Sequence, residues 1–496
     1  MSQRPIRFVH RGEIVSVQGP APTTTVLTWL REHQRCTGTK EGCNEGDCGA
    51  CTVIVGELDE AGALRLQPMN ACIQLLPTLD GKALLTVEDL QGRHPAQQAM
   101  VACHGSQCGF CTPGFVMTLA ALHQNRTQAG QGAPTRAALA DAISGNLCRC
   151  TGYRPILEAG QRMFGRPAPA IATEAITAAL RSLRHDSALQ YAGFHAPQTL
   201  AHLALLRAAK PEARLLAGGT DVALWVNKQF RELGEVIYLG RVAELQRISA
   251  ADGLLRIGAG ASLTDAWDAL AAHWPALREM GRRFASPPVR NAGTLGGNVA
   301  NGSPIGDAAP VLIALGAHLV LRRGEVQRRI ALQDFYTGYM CNELQTGEFL
   351  QAIEVPLYQG AHALRAYKLS KRFDSDISGL AAGLWLQLDG GVVREARLAF
   401  GGMAATVRRA TQAEACLRGQ PWTEATLHAA MAALDLDFQP LSDLRASASY
   451  RQRAARNLLH RFWLETRPDA PLSSAEVSVW PASEGGLPAQ GTEASA

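Results

Sequence analysis

The chain has 496 residues, of which 47% are hydrophobic and 19% charged, and its formal net charge is +4. This length exceeds what one hydrophobic core supports and predicts three or four domains. The small net charge gives no basis for nucleic-acid binding, and no run is apolar enough for a membrane span. The first residues contain no apolar stretch of the signal-peptide kind, so we expect a cytoplasmic protein with reduced cysteines.

Residues 1–85 combine short β-type segments with one helix and predict a small β-rich domain. Segments 6–9 and 14–17 are short β-type runs on either side of Arg11-Gly12 and are expected to form a hairpin. Residues 25–33 have the apolar spacing of an amphipathic helix, and 52–55 are predicted to form a strand.

The first cysteine group lies in this domain and comprises Cys43, Cys48, Cys51 and Cys72. Its C-x4-C-x2-C spacing with a distant fourth cysteine is typical of plant-type [2Fe–2S] ferredoxins. Small residues between the cysteines allow the loop to wrap closely and aim backbone N–H groups at sulfur. Structural zinc sites usually show two close pairs of ligands, which this group lacks.

Residues 86–165 are predicted to be helical, with Pro113 in the first turn of one helix. Further helices are expected over 134–143 and 155–164. A second cysteine group lies where these helices end and comprises Cys108, Cys111, Cys148 and Cys150. Its C-x2-C and C-x-C pairs are also compatible with zinc. The Pro- and Ala-rich residues 166–189 are predicted to be a linker.

Residues 190–365 alternate strands, helices and glycine-rich turns. Two glycine loops stand out, 215–221 and 291–298, because glycine lets the backbone approach a phosphate closely. Thr220 can donate a hydrogen bond to such an anion, and Asp307, which follows the second loop, can hold a hydroxyl. Tight turns in an α/β domain are the alternative for each loop. Neither loop matches G-x-G-x-x-G in a strand–helix unit, so a Rossmann site is not predicted.

Residues 366–465 complete the folded part, and they show no catalytic constellation. Strands are predicted over 379–388 and 396–402, and helices over 424–434 and 450–463. The polar residues 466–496 are expected to form a disordered tail. Four further cysteines are predicted to be buried thiols, namely Cys36, Cys103, Cys341 and Cys416.

Three cysteine motifs resemble the iron–sulfur part of the molybdenum hydroxylases: Gly42-Cys43-x4-Cys48-Gly-Ala-Cys51, His104-Gly-Ser-Gln-Cys108-Gly-Phe-Cys111 and Gly145-Asn-Leu-Cys148-Arg-Cys150. Loops 217–221 and 293–298 resemble the FAD-binding part of the same family. The resemblance runs from about residue 5 to 465. It implies an α+β multidomain fold: a plant-ferredoxin-like β-grasp domain (1–85), a helical-bundle [2Fe–2S] domain (86–165), a two-part α/β FAD-binding domain of the vanillyl-alcohol-oxidase/PCMH type (190–365) and a C-terminal α+β flavoprotein domain (366–465).

The resemblance also implies roles for individual residues. The first cysteine group would hold a cluster near the flavin, the second a cluster near a molybdenum cofactor, and Gln107 would reach the pterin of a partner chain. The FAD site would comprise Leu215, Leu216, Ala217, Gly218, Gly219, Thr220, Asp221, Phe284, Thr294, Gly297, Asn298, Asp307, Leu350 and Lys368. Tyr339 and the charged loop 371–376, with Asp376, would lie where NAD docks.

An iron–sulfur and FAD fusion without a molybdenum domain resembles the small subunits of the bacterial xanthine dehydrogenases. Such a chain carries no substrate-transforming residues. A large partner subunit with molybdopterin would hydroxylate xanthine or hypoxanthine to urate, and electrons would pass through two [2Fe–2S] clusters and FAD to NAD+. The resemblance further implies an (αβ)2 heterotetramer.

Three alternative functions remain compatible with the sequence. The first is a related hydroxylase that acts on another N-heterocycle or an aldehyde. The others are a zinc-bearing scaffold and a free-standing NAD(P)H-dependent reductase.

Overall fold

The computed structural model describes residues 4–166, 171–358 and 360–477. Over these ranges the chain folds as the α+β multidomain protein that the sequence predicts. Two sheets lie between Leu189 and Pro356, in the segment predicted to bind FAD and called the flavin part below, and a ferredoxin-like and a C-terminal domain flank them. No helix among them is both long and apolar enough to cross a lipid bilayer.

The first domain is built on five strands, β1 (Ile6–His10), β2 (Glu13–Val17), β3 (Thr52–Leu58), β4 (Leu64–Asn70) and β5 (Ala83–Leu85). They form one sheet in the order β2-β1-β5-β3-β4, in which β1 pairs with β5 in parallel. The predicted hairpin is confirmed: Arg11 and Gly12 have φ angles of 55° and 81°, as a two-residue turn requires.

The predicted amphipathic helix of this domain is confirmed as α1 (Val26–Thr28) followed by a π-helical turn (Trp29–His33). Val26, Leu27 and Leu30 are buried against the sheet, as their spacing predicts. Short 3₁₀ turns occur at Ala71–Ile73, Leu76–Leu79 and Val87–Leu90.

The second domain consists of α2 (Pro95–Ala102), α3 (Thr112–Gln128), α4 (Arg136–Ile143) and α5 (Arg154–Arg162), with a 3₁₀ turn at Met163–Gly165. Pro113 lies in the first turn of α3, as predicted. Helix α4 begins two residues later than expected, because the Thr135 hydroxyl caps it by accepting from the Ala138 N–H. The second cysteine group therefore lies between helix ends.

Residues predicted to be a linker instead form α6 (Thr173–Leu183). Ile176, Leu180 and Leu183 are buried, and α6 packs against β1 and β3. The linker prediction over 166–189 is wrong here because the apolar residues recur at helical spacing within an alanine-rich segment. Its prolines, Pro167 and Pro169, lie outside the described residues.

The flavin part contains two sheets. The first consists of β6 (Leu189–Tyr191), β7 (Phe194–Ala196), β8 (Arg214–Leu216) and β9 (Val236–Tyr238), in the order β6-β7-β9-β8, with β9 parallel to both neighbours. The second is antiparallel and consists of β10 (Ile248–Ala251), β11 (Leu254–Gly258), β12 (His318–Arg323), β13 (Val326–Ala331) and β16 (Phe349–Pro356). Strands β14 (Tyr336–Gly338) and β15 (Cys341–Asn342) form a separate hairpin.

Seven helices surround these sheets: α7 (Leu200–Ala209), α8 (Val222–Asn227), α9 (Leu263–His273), α10 (Arg278–Arg283), α11 (Pro287–Ala292), α12 (Leu295–Asn301) and α13 (Ala308–Ala314). Short 3₁₀ turns lie at Ala243–Leu245, Pro275–Leu277 and Leu332–Asp334. Both glycine loops open directly into helices, the first into α8 and the second into α12.

The C-terminal domain pairs β17 (Ala363–Leu369), β18 (Leu380–Asp389), β19 (Val392–Gly401) and β20 (Arg408–Arg409) with α14 (Thr411–Leu417), α15 (Glu424–Asp437), α16 (Ala448–Thr466) and α17 (Ser474–Val477). The predicted strands and helices of this domain are confirmed. The tail prediction over 466–496 is wrong at its start, because the Arg461 guanidinium donates to the Val477 carbonyl at 3.1 Å and holds α17 near α16. The remainder, 478–496, lies outside the described residues.

The four cysteines outside the two groups differ in burial. Cys36 is buried, as predicted, and Cys103 and Cys416 are half-buried. Cys341 is exposed, so the buried-thiol prediction is wrong for this residue. It lies on β15, and the two-stranded hairpin gives it no second layer to pack against.

We expect Leu180→Ala to destabilise the iron–sulfur half by about 2–5 kcal/mol, because it leaves a cavity where α6 packs against the first sheet. The matched control is Arg181→Ala, which removes an exposed neighbour on the same helix. Differential scanning calorimetry of the two variants would measure the effect. Equal transition temperatures for both variants would show that the segment is a linker after all.

Candidate functional site

The first cysteine group is brought together by a loop between the π-helical turn and β3, with Cys72 supplied by the 3₁₀ turn after β4. Side-chain hydrogen bonds from Cys48 and Cys72 strongly lower the pKa of the Cys43 thiol. The hydrogen bond to Cys43 raises the pKa of Cys48, and those to Cys43 and Cys51 raise the pKa of Cys72. Cys43 thus bonds to Cys48 and Cys72, and Cys72 bonds to Cys51, so the four thiols form one connected group.

Backbone groups close around these sulfurs. The Cys43 N–H donates to Cys48 Sγ at 3.4 Å, and the Cys48 N–H donates to Cys43 Sγ at 3.3 Å. A Cβ atom on Gly42 would lie 2.9 Å from Cys48 Sγ, which is closer than real Cβ contacts. The glycine is thus required by the close approach of the loop to sulfur, as the sequence predicts.

The second cysteine group forms two sulfur pairs, Cys111 with Cys148 and Cys108 with Cys150. Burial and then the hydrogen bond with Cys148 raise the pKa of Cys111 to about 12. Thr151 holds Cys148 from both sides, since its hydroxyl lies 3.2 Å and its N–H 3.5 Å from Cys148 Sγ. Cys108 and Cys150 are exposed, so this group opens onto the protein surface.

The donor chemistry of both groups fits iron–sulfur clusters. A [2Fe–2S] cluster takes four thiolates, and each group offers four. No three His, Cys, Asp or Glu side chains in the described ranges are already spaced around one bare metal ion. The sulfurs instead contact one another, with backbone N–H groups aimed at them in the first group.

The two groups touch each other through the segment that precedes Cys148. The Leu147 N–H donates to the Cys48 carbonyl at 3.0 Å. The buried Asn146 side chain donates to the Gly49 carbonyl and the Thr52 hydroxyl, both at 3.0 Å, and accepts from Thr118 at 2.7 Å. The sequence analysis did not identify Asn146 as a residue of the site. The signal was its position two residues before Cys148, in a segment where a helix is predicted to end.

Glycine makes this contact between the two domains close. A Cβ on Gly114 would lie 2.2 Å from the Gly49 carbonyl oxygen, and a Cβ on Gly49 would lie 2.1 Å from the Gly145 carbonyl oxygen. Gly49 also has a φ of 70°, which favours glycine. No other residue fits at these positions without moving the backbone.

The first cysteine group also touches the flavin part. The Asn227 amide donates to the Cys72 carbonyl at 2.8 Å, and the Lys228 ammonium donates to the Cys43 carbonyl at 2.6 Å. The Gln74 amide donates to the Gly218 carbonyl at 3.3 Å. Sequence reasoning missed all three side chains, because their spacing along the chain gives no signal of these contacts.

The structure brings the two predicted glycine loops together. A Cβ on Gly218 would lie 1.9 Å from the Ala292 carbonyl oxygen, and one on Gly297 would lie 3.9 Å from Ala217 Cβ. Gly219 has a φ of 77°. The predicted residues before and after these glycines are Leu215 and Leu216 on β8, then Thr220 and Asp221 leading into α8.

The second loop presents polar groups. The Thr294 hydroxyl caps α12 by accepting from the Gly297 N–H at 3.0 Å. The Asn298 Oδ1 atom is buried and has no hydrogen-bond partner among the described residues. A buried amide oxygen without a partner is costly unless a ligand supplies one. The loop therefore fits a polar ligand such as the FAD that the sequence predicts.

The remaining predicted FAD residues lie in two places. Phe284 is buried with its ring 5.8 Å from that of Trp267, and Leu350 is buried on β16, which packs against α12. Asp307 and Lys368 are buried and pair with each other at 2.5 Å.

Asp307 was expected to hold a hydroxyl, and it accepts the Ser378 hydroxyl at 2.5 Å as well as the Lys368 ammonium. This network joins α13 of the flavin part to the C-terminal domain. Ser378 is a further polar partner that sequence reasoning did not identify.

The residues predicted near NAD lie at the surface. Tyr339 is 68% exposed at the end of the β14–β15 hairpin. Asp376 accepts from the Arg372 N–H at 2.8 Å and from the Ile377 N–H at 3.0 Å. Asp376 also lines a cavity of about 420 Å³ together with Lys371 and Tyr450.

Four family models match the chain in sequence order. Residues 8–75 match a 2Fe-2S iron-sulfur cluster binding domain and 86–161 a [2Fe-2S] binding domain. Residues 188–358 match the FAD binding domain in molybdopterin dehydrogenase, and 365–466 the CO dehydrogenase flavoprotein C-terminal domain.

Individual relatives agree with these matches. Xanthine dehydrogenase from Emericella nidulans is 32% identical over 95% of this chain and 39% of that protein. The chain thus spans about two fifths of the length of the curated relatives it matches. Carbon monoxide dehydrogenase from Hydrogenophaga pseudoflava superposes with a TM-score of 0.52 at 30% identity, over 54% of this chain and 94% of that one. Quinoline 2-oxidoreductase from Pseudomonas putida 86 superposes with a TM-score of 0.51 at 26% identity, over 56% and 98%.

We expect Asn146→Ala to lower the stability of the contact between the cysteine groups by about 1–3 kcal/mol, because it leaves buried polar groups without partners. Iron and acid-labile sulfide per chain should fall in parallel. The matched control is Asn125→Ala on α3, which removes an exposed amide that donates to the Leu66 carbonyl. Full iron content and unchanged unfolding in Asn146→Ala would contradict this assignment.

Proposed function

This chain belongs to the molybdenum hydroxylase family, and from that premise we propose that it is the iron–sulfur and FAD part of a xanthine dehydrogenase. It carries two 2Fe-2S domains and an FAD-binding domain. In the proposed complex a molybdopterin-bearing partner oxidises xanthine or hypoxanthine, and NAD+ is the final acceptor.

One observation carries this proposal: the three candidate cofactor regions touch in series. The Leu147 N–H joins the second cysteine group to the Cys48 carbonyl, and the Asn227 amide joins the Cys72 carbonyl to the flavin part. These contacts connect the second cysteine group to the first cysteine group, and the first cysteine group to the glycine loops. Such an arrangement supports passage of electrons between a surface-exposed centre and a flavin.

The residues of this chain would hold and orient the cofactors. The two cysteine groups would bind the clusters, and the paired glycine loops with Asn298 and Thr294 would bind FAD. When bound, the clusters carry single electrons, and FAD takes single electrons and gives up two together. The protein buries Cys51 and Cys72 of the first group and leaves Cys43 and Cys48 half-buried. It sets the separation of the groups through the glycine contacts.

The surface around the second cysteine group supports a partner chain at this face. Phe110, between Cys108 and Cys111, is 47% exposed, and Gln107, Cys108 and Cys150 are exposed as well. Val101, near the end of α2 in the same domain, is 78% exposed. Exposed large apolar side chains are unfavourable in water, and a group of them is typical of interfaces. Gln107 would then face the cofactor of the partner, as the family resemblance implies.

The choice of substrate and acceptor is supported by relatives rather than by residues of this chain. Two xanthine dehydrogenases match 95% and 84% of its length. Tyr339 is exposed, and the half-buried Asp376 lines a surface cavity, so both could contact a docking nucleotide. A second candidate is a hydroxylase for another N-heterocycle or an aldehyde, which the likeness to quinoline 2-oxidoreductase favours.

The first test is NADH formation from xanthine and NAD+ by the native complex purified through this chain. We expect NADH absorbance to rise with xanthine and with hypoxanthine. The control reaction replaces xanthine with quinoline and uses an artificial acceptor.

Two results would redirect the proposal. Activity on quinoline but not xanthine would move the chain to the second candidate. A colourless preparation without iron would overturn the assignment of both cysteine groups.

A second test addresses the partner surface. We expect Val101→Asp to reduce xanthine-dependent NADH formation at low protein concentration, because a charge at the interface weakens association. Val326→Asp is the matched control, since Val326 is 72% exposed on β13 of the flavin part. NADH should still bleach the flavin in both variants. If both variants lost activity equally, or if neither variant lost activity, the partner would have to bind elsewhere on this chain.

A further inference from the structure

Two adjacent side chains of the flavin part reach the backbone of the first cysteine group. The Lys228 ammonium lies 2.6 Å from the Cys43 carbonyl, and the Asn227 amide lies 2.8 Å from the Cys72 carbonyl. The same amide is 3.4 Å from the Asn44 carbonyl. Two of the four cysteines are therefore held by donors from outside their own domain.

The position of these donors in the fold is informative. Asn227 is the last residue of α8 and Lys228 follows it, whereas the first glycine loop leads into the other end of this helix. A helix of six residues is about 9 Å long. One short rigid element thus contacts both the glycine loop and the cysteine loop.

Charge determines what these donors do. Reduction of a [2Fe–2S] cluster adds one negative charge, which nearby positive charge and hydrogen-bond donors stabilise. Lys228 is the cation held against this group from the flavin side, and Glu45 lies 3.5 Å from its ammonium. Its side chain is 43% exposed, so salt screens part of its effect.

We propose that Asn227 and Lys228 are positioning residues that hold the first cysteine loop at a fixed separation from the flavin loop and raise the reduction potential of the cluster bound there. This inference rests on the proposed cluster in the first group. It does not depend on xanthine, NAD+ or the partner chain.

The test is a redox titration of the full chain, with the two clusters followed by electron paramagnetic resonance. Lys228→Met keeps the aliphatic stem and removes the charge, and Lys228→Arg restores the charge. We expect Lys228→Met to lower the reduced-to-oxidised ratio of the first cluster at a fixed potential by up to about tenfold, which corresponds to about 59 mV for one electron. The Arg variant should recover most of this shift.

Three references make the result specific. The second cluster lies on the far side of the first group and should keep its potential in every variant. Lys210→Met is the matched control, because Lys210 is paired with Glu235 on the same half of the chain without touching a cysteine. The shift in Lys228→Met should shrink as ionic strength rises, since part of the charge is screened.

Asn227→Asp provides an independent variant of nearly the same shape. It replaces a donor at the Cys72 carbonyl with a carboxylate, so the first cluster should become harder to reduce than in Lys228→Met. Unchanged first-cluster potentials in both variants, with full iron and FAD content, would overturn this inference alone. Loss of the first cluster without any shift in the remaining population would also overturn it, and a wild-type chain lacking this cluster would overturn the proposed function as well.

Discussion

The enclosure of the loop 43–51 is the constraint on which the rest of the structure depends. Its carbonyl groups must find donors where they are buried, because buried backbone oxygens without partners are costly. The helical domain supplies Leu147 and Asn146, and the flavin part supplies Lys228. Hydrogen bonds to the carbonyl groups of this one short loop therefore link three domains.

The glycines of this region follow from the same constraint. Gly42 lies against the Cys48 sulfur, and a Cβ atom at Gly49 or Gly114 would collide with a carbonyl oxygen. The same physical reason explains Gly218, which lies against the Ala292 carbonyl where the two flavin loops meet. In both regions the close approach of the backbones lets neighbouring loops pack directly against each other, without side chains between them.

The flavin part and the C-terminal domain are joined differently, through the buried pair of Asp307 and Lys368. Removing a charge from water is expensive, so such a pair is tolerated only when both members and their remaining bonds are satisfied. Ser378 supplies the additional hydrogen bond. Nearby, Arg372 of the charged loop 371–376 lies 3.7 Å from Asp47 of the first cysteine loop. The C-terminal domain thus also contacts the first cysteine loop.

The sequence by itself determined the cysteine groups, the glycine loops and most strands and helices, because metal-ligand spacing, close backbone approach and hydrophobic periodicity are local properties. It also predicted Asp307 and Lys368 as members of one site. Tertiary structure alone decided which side chains serve those groups, namely Asn146, Asn227 and Lys228, since a hydrogen-bond partner is selected by distance in space. It also decided that residues 173–183 form a packed helix and that Cys341 is exposed. Burial depends on which surfaces the other domains cover, and no local pattern records that.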